Sequence, residues 1–153
     1  MNPKLVLKQT LKKDCISKLE ERISAASDAM FSAQESANSE GKSSAGDKYE
    51  TSRAMGQMDR DMNARQLEQA RKDLAFVQAL DVSRIYQNAQ AGALVYCKEG
   101  IFFLVSGLGT VQVGKETIHV ISPAAPLAVL FHEKQGGDTI ILNGKKFELI
   151  EIV

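Results

Sequence analysis

Asn38-Ser39-Glu40-Gly41-Lys42-Ser43-Ser44-Ala45-Gly46 is the stretch whose reading decides the fold. It gathers small, polar and glycine residues and reads as a turn. Upstream, apolar or small residues recur as Leu11, Cys15, Leu19, Ile23, Ala26, Met30, Ala33 and Ala37. Steps of three and four place them on one helix face. Downstream come Met55, Met58 and Met62, then Leu67, Ala70, Leu74 and Val77. The step of five from Met62 to Leu67 predicts a slip of register there. Neither helix can hide its stripe alone, so the two are expected to fold against each other as an antiparallel coiled-coil hairpin. Arms of about 30 residues would reach about 45 Å. Around the turn the buried face is mostly Ala and Ser, which predicts a slender end. The same periodicity also suits a surface coiled coil that only dimerises.

The composition changes near residue 85. Residues 92–153 hold eight of the eleven Gly, two of the three Pro and many β-branched residues. Strands are expected at 93–97, 101–105, 110–113, 117–121, 139–142 and 145–152. Lys98-Glu99-Gly100 and Asn143-Gly144 read as hairpin turns. The apolar run Ala125 to His132, just after Pro123, suits one short helix across the sheet. The expected fold class is therefore α+β. A helical hairpin over 1–84 precedes a domain over 85–153, a curved antiparallel sheet with one short helix.

Lys+Arg and Asp+Glu number 19 each, so the formal net charge is zero. That balance argues against bulk electrostatic binding to free nucleic acid. No apolar run approaches the roughly 20 residues of a membrane span. The first ten residues lack the apolar core of a signal peptide. Cys15 and Cys97 sit apart from each other and from any metal-spaced partner. They read as reduced thiols of a cytoplasmic protein.

No Ser-His-Asp or Cys-His set is legible, and no phosphate-cradling Gly loop appears. His119 and His132 have no ligand partner at a recognisable spacing. A conventional enzyme pocket is not expected. The informative segment is Gly46-Asp47-Lys48-Tyr49-Glu50, at the start of the second helix. Asp47 and Glu50 are three apart, so their carboxylates can point the same way. An Asp at the N-cap with Glu three residues on is also a capping box, and acids suit a helix N-terminus. Two carboxylates are equally the hard oxygen ligands that Mg²⁺ takes, one or two at a time.

With these residues in view, the chain resembles the Gre family of bacterial transcript-cleavage and elongation factors over almost its whole length. The family's tip pattern G-D-x-S-E-N-A is met by Gly46-Asp47-Lys48-Tyr49-Glu50-Thr51-Ser52, with Gly, Asp and Glu in place. The second signature, a Ser-Pro, an apolar helix and a Gly-Asp, is met by Ser122-Pro123, Leu127 to Phe131, and Gly137-Asp138. The end, Phe147 to Ile152, resembles the family's last strand. Tyr49 stands where the family carries Ser. The family's Asp-Ser-Pro before the helix aligns with Ala124-Ala125-Pro126.

The resemblance implies an FKBP-like second domain that docks at the secondary channel of RNA polymerase. The hairpin would enter the channel as part of a monomer, with only indirect contact to nascent RNA. Asp47 and Glu50 would be the catalytic and metal-directed pair, sharing a Mg²⁺ with the polymerase active site. Lys48, Tyr49, Ser122, Pro123 and Pro126 would face the partner. The factor itself would not be an enzyme; it would stimulate the polymerase's own nuclease. The alternative is a polymerase-binding regulator that stimulates no cleavage. A prolyl isomerase reading calls for an aromatic-lined pocket, and this half offers Tyr96, Phe102, Phe103, Phe131 and Phe147, several of which its core needs.

Overall fold

The computed structural model describes the backbone of residues 2–40 and 46–153, and the side chains of 2–35, 51 and 53–153. The chain is α+β. Two long helices come first, α1 (Pro3–Glu40) and α2 (Gly46–Ala79). Six strands and a short helix follow: β1 (Leu94–Cys97), β2 (Gly100–Leu104), β3 (Gly109–Val113), β4 (Glu116–Ile121), α3 (Pro126–Phe131), β5 (Thr139–Leu142) and β6 (Lys145–Ile152). Of the turn expected over 38–46, residues 38–40 belong to α1 and Gly46 to α2; residues 41–45 lie outside the described ones.

The chain packs as two units. One joins Met1–Ile16 to Phe76–Val153; the other is Ser17–Ala75. The first turns of α1 and the last turn of α2 therefore belong with the sheet.

In the Ser17–Ala75 unit the two helices pack together. Arg22 and Asp73 line one cleft, Met30 and Ala64 another, and Arg60 donates to Gln34 Oε1 at 3.1 Å. The opposed numbers run in opposite senses, so the helices are antiparallel. On α1, Leu19 and Ala26 are buried and Ile23, Met30 and Ala33 half-buried, as the stripe predicts.

On α2 the expectation fails in part. Met55, Met58 and Met62 are 60%, 69% and 51% exposed. The inward row is instead Gly56, Asn63, Leu67, Ala70 and Leu74. Counted through Arg60, its steps alternate between three and four, so there is no slip at 62–67 and α2 is unbroken. The three Met lie off that row, toward solvent. Small and polar residues let the helices approach, and the bulky Met side chains have no room in that seam.

In the sheet unit the strand order is β3-β4-β2-β1-β6-β5. The sheet is mostly antiparallel, but β2 and β4 are parallel, Ile101 opposite Ile118 through Leu104 opposite Ile121. An all-antiparallel sheet is thus not what forms. After β2 the loop 105–108 skips one strand position, β3 lands outside it, and the β3–β4 hairpin then fills the gap. Leu108 N–H donating to Val120 O at 3.2 Å ties that loop to β4. Four loop residues suffice for two strand spacings, about 10 Å. Asn143 and Gly144 both take positive φ, 52° and 79°, the backbone of a type I′ turn.

The sheet buries both faces by alternation. One face carries Val95, Cys97, Phe102, Leu104, Phe147 and Leu149 and receives Ala128 and Phe131 of α3. The other carries Leu94, Phe103, Ile118 and Val120, each 1% exposed or less. Over it lies the start of α1. Asn2 Oδ1 caps that helix by accepting from Lys4 N–H at 2.9 Å, with Pro3 at the first position. Lys4, Lys8 and Lys12 then form a row at spacing four. Lys4 pairs with Glu151 and lies over the Tyr96 ring. Lys8 donates to Arg84 O at 2.9 Å and Val153 O at 3.1 Å. Lys12 donates to Gln78 O at 3.0 Å and Leu80 O at 2.8 Å. Those last carbonyls lie at and just past the C-terminus of α2, where a cation is favoured.

A bulge between Tyr96 and Cys97 brings Glu151 and Leu149 opposite them and leaves Ile150 over. Gly136 lies against it: a Cβ there would meet Ile150 O at 2.4 Å. Both atoms are backbone, so neither can swing away. Gly136→Ala is expected to lower the unfolding free energy by about 1–3 kcal/mol, read by urea denaturation. Gly137→Asn probes the other kind of glycine, at φ 96° with open space around it, and is expected to cost less because Asn tolerates positive φ.

Candidate functional site

Asp47, Lys48 and Tyr49 fall in the first turn of α2 and Glu50 just beyond it, because the helix begins at Gly46. Uninterrupted helix from 46 onward sets positions 47 and 50 on the same side, one turn apart. Free N–H groups at that end favour carboxylates, which is a sufficient local reason for two acids there. The side chains of these four residues lie outside the described ones. Among the described residues no group of three or more His, Cys, Asp and Glu could hold a metal ion. Two hard carboxylates fit Mg²⁺ chemically, as part of an ion's shell that other groups complete.

The second predicted segment lies in the sheet unit. β4 ends at Ile121. Ser122 then closes a turn: its Oγ accepts from Ala124 N–H at 3.1 Å and its carbonyl from Ala125 N–H at 2.9 Å. Pro126 opens α3, where its missing N–H costs nothing. The N-cap is Ala125, extended at φ −62° and ψ 148°, with no side-chain cap bond. Ser122 and Pro123 are half-buried and Pro126 exposed. Ser122 and Ala125 also border a cleft of about 460 Å³, shared with Gly107, Gly109, Thr110 and His119. His119 is stacked on Phe102, ring centroids 5.2 Å apart, and so is half committed to the core. The structure thus puts the two predicted segments in different packing units and brings Ser122, Pro123 and Pro126 together.

Cys15 and Cys97 are both buried. Burial, and then the charge of Glu99, push the Cys97 thiol up to about 12. Native protein at pH 8 is expected to resist iodoacetamide, while chain unfolded in guanidinium takes up two equivalents, counted by mass spectrometry.

Sequence reasoning missed two features. The exposed Met row passed for core because three apolar residues at helical spacing look alike on either side of a helix. The signal that separates them is the alternating three-four row through Gly56, Asn63 and Leu67. The burial of Lys8, which is 0% exposed, left no signal, since lysine is seldom buried.

Among the described residues no helix is long and apolar enough to cross a membrane. No protein-family model, no curated protein and no solved structure matches the chain.

Proposed function

We propose that this chain is a transcription factor of Gre type, which docks on RNA polymerase and promotes cleavage of backtracked transcripts. The observation that carries the reading is the acid pair Asp47 and Glu50, one turn apart at the start of α2 in a two-helix unit. A sheet unit with Ser122-Pro123 leading into α3 supports it, since the order of parts is the one the resemblance calls for. In this reading the sheet unit is FKBP-like and docks through Ser122, Pro123 and Pro126. Lys48 and Tyr49 face the polymerase channel. Asp47 and Glu50 would hold a Mg²⁺ shared with the polymerase, which would supply an activated water for phosphodiester hydrolysis. The work of this chain is to carry two carboxylates to a site that lacks them and to hold them one helical turn apart.

A stalled elongation complex with the full chain is expected to shorten its transcript from the 3′ end. Asp47→Asn and Glu50→Gln are expected to bind core polymerase as the parent does and to lose the stimulation. Polymerase pull-down and transcript gels read the two properties separately. Absence of polymerase binding by the parent chain would overturn the reading.

One observation favours a polymerase binder that stimulates no cleavage. Ala125 caps α3 without a side-chain bond, where the resemblance calls for polar residues. Tyr49 likewise replaces a Ser. Binding without transcript shortening would select this reading.

A further inference from the structure

The Ser17–Ala75 unit has a groove between its helices with a volume of about 580 Å³. Ala25, Ala26 and Ala29 of α1 and Ala70 of α2 line it. Ala26 and Ala70 are buried at its base, and Ala25 and Ala29 are exposed along it. The rims differ in sign. Arg22 stands on the α1 rim and Asp73 on the α2 rim, at the same level along the pair. Among the described residues Arg22 makes no ion pair. Asp73 accepts only an uncharged amide, from Gln69 at 3.0 Å.

We propose that this groove is the contact face of a homodimer, in which each copy lays its own groove on the other. The charges select the occupant and its orientation. A two-fold axis parallel to the helices sets α1 of one copy on α2 of the other. Arg22 then meets the partner's Asp73, and Asp73 meets the partner's Arg22, both at once. A two-fold axis across the helices would stack α1 on α1 and α2 on α2, so that Arg22 no longer meets the partner's Asp73. Either arrangement makes every neighbouring helix pair antiparallel, the order of an up-down four-helix bundle, so the charges choose between them.

Size and shape agree. Helical segments of about 24 to 30 residues are about 35–45 Å long. A face two helices wide along that length offers on the order of 700 Å², close to the roughly 800 Å² per partner of a standard interface. An alanine floor lets axes approach to about 8 Å, the short end of helix packing. The proposal does not rest on polymerase docking; where the two are combined, the monomer in equilibrium with this dimer is the form that docks.

Sedimentation equilibrium of the full chain tests it. The parent is expected to pass from monomer to dimer with concentration. Arg22→Asp sets like charges together twice in each dimer, and so does Asp73→Arg. Each is expected to weaken association about tenfold or more. An equal mixture of the two variants restores both pairs, so a heterodimer as tight as the parent dimer is expected. Ala29→Trp, on an exposed position, fills the groove without touching the charges and is expected to abolish the dimer. A chain that stays monomeric throughout, a dimer indifferent to both reversals and to Ala29→Trp, or a mixture no tighter than its components overturns the proposal.

Discussion

Phe131→Ala is expected to lower the unfolding free energy by about 3–5 kcal/mol, the range for removing a fully buried aromatic ring. Phe131 is 0% exposed and sits 5.6 Å from the Phe102 ring, centroid to centroid. Its helix has little else. α3 is six residues long, carries no acid in its first turn or base in its last, and has no side-chain cap. A helix so short is not stable by its own hydrogen bonds. Ala128 and Phe131 are its buried residues, and alanine contributes little area. Loss of the ring therefore removes the main reason for α3 to lie on the sheet. Ser122, Pro123 and Pro126 lead directly into that helix. The variant is expected to lose polymerase binding along with stability if the docking segment is the one proposed. Urea denaturation followed by circular dichroism gives the first quantity. Phe131→Leu keeps most of the apolar volume and is expected to recover more than half of the loss.

Lys8→Ala is expected to cost about 2–4 kcal/mol at pH 7, through a cavity and a carbonyl left without its donor. Val153 O keeps the Leu94 N–H at 2.9 Å, whereas Arg84 O loses the ammonium. Lys8→Met fills the space and removes the buried charge, so it is expected to cost less. The more telling result concerns pH. Lys8 donates to neutral carbonyls and lies 4.5 Å from the Tyr86 ring centroid, with Arg84 4.7 Å from the same ring. Asp81 is the nearby acid, and Ser83 holds its carboxylate below the usual range by hydrogen bonds. Burial pulls the Lys8 ammonium down to about 8; the charge of Asp81 opposes this and that of Arg84 adds to it. Between about 8 and the ordinary value of 10.5 the unfolded chain holds a proton that the folded chain has released. Stability therefore rises with pH across that window, by on the order of 3 kcal/mol from this residue. Below pH 8 both states are charged, and the cost of the buried ammonium is carried in full. In Lys8→Met the rise is expected to disappear. Melting temperatures from pH 7 to 10.5 check the sign. A parent chain that loses stability over this range more steeply than the Lys8→Met variant would count against the assignment.

Much of the fold is legible from local chemistry. β-branched runs and the Asn143-Gly144 turn give β5 and β6 at their observed bounds, because a two-residue turn fixes its own register. The apolar run Ala125 to His132 gives α3 to within one residue at each end. The stripe on α1 is legible because its members recur at steps of three and four, although Phe31, just beside it, stays exposed. The parallel pairing of β2 with β4 is not, as the four residues between β2 and β3 do not say how many strand positions they cross. Nor is the seam of α2, where the smaller residues face in and the larger ones out. The acid pair was legible as spacing, and the helix beginning at Gly46 supplies its backbone frame.

The lysine row has a consequence for synthesis. Lys8 and Val153 are 145 residues apart in the chain, and the second unit is inserted between them. At 5–20 residues per second the first turns of α1 leave the ribosome on the order of ten seconds before their partner strand exists. Ser17–Ala75 is contiguous and can pair its helices in that interval. The helix pair of 17–75 is therefore expected to close before the first turns of α1 find their place with the sheet.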